Sequence, residues 1–268
     1  MTSLIPVLEQ PRRAPRRTPP PPPARRHLSL VDLRLRQNRL LQALPDDAWG
    51  RVAPHLKLIE HQDGTILEEP GELAKHVHFP TDAMISLLCV TNDGAGSEVA
   101  RVGPEGLVGI SLFLGGDATS SRAVVQKSGH AFRVCAEVMQ AEFERGGPVQ
   151  RLLLRYTQSL LTQMAQTAVC NRRHSVQQQL CRYLLSSLDR TPGDALAITH
   201  ERIASMLGVR REGVTESAGA LQRLGAIRYG RGRITIVDRR LLEAHVCECY
   251  AVMHRENHRL LPAERAEA

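Results

Sequence analysis

From about Gly64 to Met139 the apolar residues fall in short runs, among them Thr65-Ile66-Leu67, Ala83 to Val90, Val99 to Val102 and Ala123 to Val125. Turn-forming stretches separate them: Pro70-Gly71, Asn92-Asp93-Gly94, Gly103-Pro104 and Gly115-Gly116-Asp117. Short runs broken by residues that accept tight turns predict an antiparallel all-β domain. Upstream, Leu30 to Leu44 reads as a helix that ends at Pro45. The period changes again near Pro148, where Leu153, Tyr156, Leu160, Met164 and Thr167 recur three or four residues apart and predict one face of a long helix. Such a stripe more often serves an intramolecular core. Here the helix joins two compact regions and has few other surfaces for that face, so Leu153, Leu160, Met164 and Thr167 are expected to form a dimer seam.

The densest local signal runs from Ile198 to Val214. Thr199 is placed to cap a helix with Glu201 in its first turn, Ile203, Met206 and Leu207 give it an apolar face, and Gly208 permits a tight turn. A second helix is predicted from near Arg210, with Val214, Leu221 and Leu224 inward. Arg211, Glu212, Thr215 and Glu216 then face outward near its N-terminal end, where a recognition helix meets base edges in the major groove. Arg210 competes with Arg211 for the reading role. Ala226 to Ile236 reads as strand, glycine turn, strand, a wing whose Arg231 and Arg233 suit phosphates, as do Thr199 and Arg210 at the helix starts.

Charge sharpens this picture because it is unevenly spread. The chain carries a formal net charge of +7. Residues 1 to 27 hold six Arg and one Glu, residues 171 to 240 hold thirteen Arg against six acids, and the rest is net negative. A basic C-terminal segment points to a polyanion partner. The first stretch, from Pro11-Arg12-Arg13 through the five prolines ending at Pro23, cannot bury apolar area and is expected to stay extended. With 268 residues and 42% hydrophobic content there is material for two modest domains. No apolar run approaches the roughly 20 residues that span a bilayer, so a soluble, cytoplasmic protein with no membrane partner is expected. Cys89, Cys135, Cys170, Cys181, Cys247 and Cys249 read as reduced core thiols, and the one-residue gap of Cys247-Glu248-Cys249 matches metal-site spacing poorly, so no metal is expected.

At these residues the chain resembles the Crp/Fnr family of transcription regulators over roughly residues 40 to 245. Arg211-Glu212 occupies the family's Arg-Glu base-reading pair and Val214 its buried position, while Glu216 stands where members often carry a basic residue. Ser175-Val176, Leu180 and Tyr183-Leu184-Leu185 look like the helix that precedes the pair. The resemblance implies an α+β protein: a jelly-roll-like antiparallel β-roll sensor over 28–148, a dimerisation helix over 149–171 and a winged helix-turn-helix over 172–246, flanked by tails at 1–27 and 247–268. It implies a homodimer that binds double-stranded DNA, works with RNA polymerase and is not an enzyme.

The sensor half departs from the family's cyclic-AMP binders, which offer a Gly-Glu for the ribose and an Arg with a small neighbour for the phosphate. Here the stretch is Gly109-Ile110-Ser111-Leu112-Phe113, without the glutamate, and Arg122 beside Ser121 is displaced by one residue. Gly109, Ser111, Ser121 and Arg122 remain the candidate effector pocket, but cyclic AMP binding of the usual kind is not expected. A second reading comes from Gly71, His76, His78 and Asp82, similar to the first metal motif of cupin barrels, since two imidazoles two apart on a strand share a face. No second histidine motif follows in the β region. A third reading keeps the fold as a ligand-sensing interaction module without DNA binding.

Overall fold

The computed structural model describes residues 35, 37–116 and 118–261, so the Pro/Arg-rich stretch and part of the helix expected from Leu30 lie outside the described residues. Within them, Asn38 caps a single turn, α1 (Arg39–Gln42), by accepting from the N–H groups of Leu40 and Leu41 at 3.1 Å. As expected, α1 ends before Pro45, and Pro45 also opens the next helix. It stands at the N-cap of α2 (Asp46–Val52), a position where the missing N–H costs nothing.

The β domain starts earlier than the apolar runs suggest. Strands β1 (Lys57–His61), β2 (Ile66–Glu68), β3 (His76–Pro80), β4 (Met84–Val90), β5 (Gly96–Val102), β6 (Arg122–Lys127) and β7 (Gly129–Cys135) form two antiparallel sheets, in the orders β1-β7-β3 and β2-β6-β4-β5. Val77, Phe79, Phe132 and Val134 of the first sheet share a core with Leu40, Leu41 and Met139. Met139 belongs to α3 (Ala136–Glu144), which follows β7 directly. The second sheet turns Ile85, Leu87, Ala100, Val102, Ala123 and Val125 into its own cluster.

Both clusters are closed by one helix, α4 (Gly147–Arg173), about 40 Å long at 1.5 Å per residue. Leu152, Leu153 and Tyr156 complete the first core and Leu160, with Met164 beside it, completes the second. Tyr156 lies so close over Gly106 that a Cβ there would come within 2.5 Å of its ring, and its hydroxyl donates to Leu107 O at 2.7 Å. The stripe expected as a dimer seam is therefore occupied within the chain: Leu153 and Leu160 are each 2% exposed, and Thr167 accepts from Arg182 Nη1 at 3.3 Å. The sheets need an apolar cover, and periodicity alone does not say which partner supplies it. The outer face of α4 instead carries Leu154, Leu161 and Val169, 46%, 56% and 47% exposed, with exposed Ala165 and Ala168 between them.

The chain then breaks at His174 into α5 (Val176–Leu188), which opens with a capping box between Ser175 and Gln178. Beyond α8 (Arg239–His245), the C-terminal residues expected as a tail form a helix, α9 (Glu248–Leu260), that packs back along α4; Leu260 and Leu261 enter the first core. Ser159 and Asn257 hydrogen-bond across this pair. Two cysteines also depart from expectation, since Cys89 and Cys135 are exposed while the other four are buried and free.

Candidate nucleic-acid interface

Thr199 accepts from Arg202 N at 3.2 Å and starts α6 (His200–Leu207); Gly208, at φ 65, turns the chain, and α7 (Arg211–Arg223) follows with Arg210 at its N-cap. Gly208 needs its missing side chain for a second reason: a Cβ there would lie 2.5 Å from Ser97 Oγ on β5, so the turn rests on the β-roll half. Asp63 pairs with Arg202 across the same junction. Val214 and Leu221 are fully buried, as their spacing predicts. Leu224 is not inward but 47% exposed, because α7 ends at Arg223 and the chain swings away at Gly225.

Arg211, Glu212, Thr215 and Glu216 all lie on the exposed side of α7. The acid nearest Arg211 is Glu201 of α6, at 3.7 Å, with side chains 65% and 73% exposed; so open a pair leaves the guanidinium available. His200 braces the assembly: its Nδ1 lies 3.1 Å from Thr215 Oγ1 and its ring stacks on Tyr229 at 3.9 Å. Burial, then the field of Arg211, holds this imidazole below its ordinary pKa.

The wing is the hairpin β9 (Ile227–Gly230) and β10 (Arg233–Ile236), joined in one sheet by β8 (Ala195–Ala197), which the hydrophobic pattern does not reveal. Its two-residue turn places Arg231 at φ 52 and Gly232 at φ 72, the pair of left-handed residues that matches strand twist. Arg231 is the one non-glycine residue with positive φ among those described, a position that costs an L side chain about 1 kcal/mol. Thr199 lies under this turn, its methyl 3.8 Å from where a Gly232 Cβ would stand. Arg210, Arg228, Arg231 and Arg233 are exposed and form no ion pair among the described residues.

In the sensor half, Gly109 takes φ 112 ahead of a short turn over Ile110–Phe113, and the buried Ser111 hydroxyl finds no partner. Ala123 and Val125 point into the roll, whereas Arg122 points out and donates to Glu69 Oε2 at 2.8 Å. The one-residue displacement thus leaves the roll interior without this cation, beside a buried Ser121. A polar cavity of about 250 Å³ lies elsewhere, at the junction of β5, α4, α5 and α9, lined by Arg101, Arg182, Arg190, Glu98, Glu105 and His254 among others. His76 and His78 do sit on β3, ring centroids 6.2 Å apart, but Asp82 does not join them; its carboxylate accepts from His130 N. Burial, with the nearby His61 and His76, pushes His78 down to about 3.

Helix, left-handed turn, exposed second helix and cationic wing define the winged helix-turn-helix class of DNA-binding domain. Residues 178–245 match the Crp-like helix-turn-helix domain. Solved structures extend the likeness over about three quarters of the chain. One is a transcriptional regulator of the Crp/Fnr family from Eubacterium rectale, 19% identical, with a TM-score of 0.63 over 77% of this chain and 96% of that one. FixK2 from Bradyrhizobium japonicum is 16% identical with a TM-score of 0.62 over 72% and 98% of the respective chains. The c-di-GMP-responsive global regulator CLP of Xanthomonas campestris is 17% identical with a TM-score of 0.57 over 72% and 99%. The chain thus carries a Crp-like helix-turn-helix domain on the fold of the Crp/Fnr regulators. No curated protein sequence matches it. No helix among the described residues is long and apolar enough to cross a membrane.

Proposed function

We propose that this chain is a sequence-specific DNA-binding transcription regulator, working as a homodimer with RNA polymerase and gated by a signal received in the β-roll half. The observation that carries this reading is the set of exposed cations, Arg210, Arg211, Arg231 and Arg233, held on one braced scaffold around the start of α7. Arg211, Glu212, Thr215 and Glu216 would face bases; Arg210, Arg231, Arg233 and the Thr199 helix start would face phosphates. A dimer supplies two such surfaces for paired half-sites. Its seam is the outer stripe of α4, Leu154, Leu161, Ala165, Ala168 and Val169, since the inner stripe is occupied.

Genomic footprinting of the tagged protein tests the DNA reading, with enrichment at a recurrent two-fold motif expected. Absence of enrichment together with a salt-insensitive, weak gel shift would favour an interaction module that does not bind DNA. Leu161→Glu should convert dimers to monomers in sedimentation while Leu160→Glu should unfold the chain. Dimers surviving Leu161→Glu would remove the outer stripe from the interface.

A further inference from the structure

Four side chains that DNA binding leaves unused converge where α4 ends and α9 begins: Cys170, His174, Cys247 and Cys249. Cys170 and His174 stand one helical turn apart at the C-terminal end of α4. Cys247 is the N-cap of α9 and Cys249 its second residue, so the extended cap followed by a helical turn brings two sulfurs only two positions apart to one point. Cys170 Sγ lies 3.6 Å from Cys247 Sγ, Cys249 Sγ lies 3.6 Å from His174 Nδ1, and all four ligand atoms fall within 4.8 Å of one another. The three thiols are 0%, 3% and 1% exposed.

Sulfur is a weak hydrogen-bond partner, so three buried thiols and an imidazole facing one point gain little from one another. A tetrahedral ion with bonds of about 2.3 Å to sulfur and about 2.0 Å to nitrogen separates its ligand atoms by roughly 3.4–3.8 Å. Two of the separations here, both 3.6 Å, have that size, and the others lie within 4.8 Å, close enough for small side-chain shifts to complete the tetrahedron. It is too tight for an iron–sulfur cluster, whose thiolates are spread over several irons. Two neighbours fit the same chemistry. His174 turns its other nitrogen, Nε2, toward Glu248 Oε1 at 3.3 Å, the carboxylate contact that orients a metal-bound imidazole. Arg182, buried with its Nε unpaired, places a positive charge in the field of Cys170, where it offsets the net negative charge of three thiolates around a divalent ion.

We propose that Cys170, His174, Cys247 and Cys249 form a closed tetrahedral zinc site that pins α9 to the end of α4. The donor set is soft and complete, leaving no open position for a reacting water, so the site is structural. It sits at the break between α4 and α5, and it fixes the angle at which the winged unit leaves the long helix.

The test uses the full chain, purified without chelator. Elemental analysis should give about one zinc ion per chain. Cys249→Ser and His174→Ala should reduce this to near none, while Cys89→Ser and Cys135→Ser, in exposed thiols, should keep it. Replacement of zinc by Co2+ in the wild-type chain should produce the intense visible bands of tetrahedral cobalt with thiolate charge transfer, a readout that needs no variant to fold. Stripping the metal should lower the thermal midpoint, and zinc alone should restore it. A metal-free protein that takes up Co2+ without those bands overturns the site, as does a Cys170–Cys247 disulfide trapped by alkylation in the freshly isolated chain. An unchanged midpoint after stripping overturns the pinning role.

Discussion

The β-roll half and the exposed face of the winged half around α7 and the wing use arginine in opposite ways. In the first, guanidinium groups meet carboxylates of the fold: Arg51 on Glu142 at 2.7 Å, Arg122 on Glu69 at 2.8 Å and Arg101 on Glu98 at 2.6 Å. In the second, Arg210, Arg228, Arg231 and Arg233 stand exposed without a carboxylate among the described residues. A paired arginine has little field to spare for a phosphate, and an unpaired, exposed one adds little to folding. The contrast teaches that net charge is a poor guide to a polyanion surface. What matters is which cations the fold leaves unneutralised.

Substitutions on the two sides should therefore separate folding from binding. The largest expected effect is at Arg101, which bonds Glu98 and Ser187 and lies 4.0 Å over the Tyr183 ring. Arg101→Ala leaves a buried carboxylate without its cation and should cost about 3–5 kcal/mol in chemical denaturation. A loss below about 1 kcal/mol would place the pair among solvent-screened surface pairs and break the contrast.

Glu68 is an acid of the β-roll half with a buried, unpartnered oxygen, and it sharpens the same point. Burial pushes its carboxyl up to about 7 from an ordinary value of 4.5, and its Oε1 has no partner. The unfolded chain releases this proton first, so the group's contribution to stability is lost as pH rises from 4.5 through about 7. Glu68→Gln should stabilise the protein by about 3 kcal/mol at pH 8 and leave it unchanged near pH 4, measured by denaturant titration at both values. His78 has the opposite sign: with its pKa held near 3, its contribution is present above about 6.5 and is lost as pH falls. An acid limb should therefore survive in Glu68→Gln. A gain of equal size at both pH values would show that the carboxyl is not the cause.

On the winged side, Arg211→Ala should cost about 1–3 kcal/mol on the matched site, less on scrambled DNA, and leave the melting temperature unchanged. If Arg210→Ala relaxes sequence preference instead, the reading register moves by one residue. Smallest is Arg231→Gly, which should weaken matched and scrambled sites alike by under about 1 kcal/mol and lower the salt slope by roughly one. Because glycine accepts the left-handed turn, folding stability should rise slightly as binding falls. A loss confined to the matched site would make the wing a base reader.

Local chemistry made the winged unit legible. Thr199, Gly208, Val214 and the Arg231-Gly232 turn all act within a few residues of their partners, so spacing carries them. Where partners are distant the sequence is silent. The period of α4 identified Leu153 and Leu160 as a stripe and could not say that β-sheets, rather than a second chain, cover it. The one-residue displacement of Arg122 is legible in the sequence, and on a strand it turns the side chain to the other face, where it meets Glu69. Cys170 and Cys247, 77 positions apart, become neighbours only through the return of α9, a helix that lies beyond the family resemblance and is expected from it only as a tail.

That returning helix also governs what can be exchanged between relatives. The family match ends at residue 245, a natural place to cut if the DNA-reading unit were a cassette to be moved from one sensor to another. In this chain the cut would leave behind the ends of the sensor's own core, because Leu260 and Leu261 belong to it. A graft at 245 would open a hole in the core that Leu260 and Leu261 share with Leu40 and Leu41, and a graft of the winged unit with its last helix would carry two stray leucines into a foreign core. The two halves thus share one core, and chimeras built at the family boundary should be less stable than either parent.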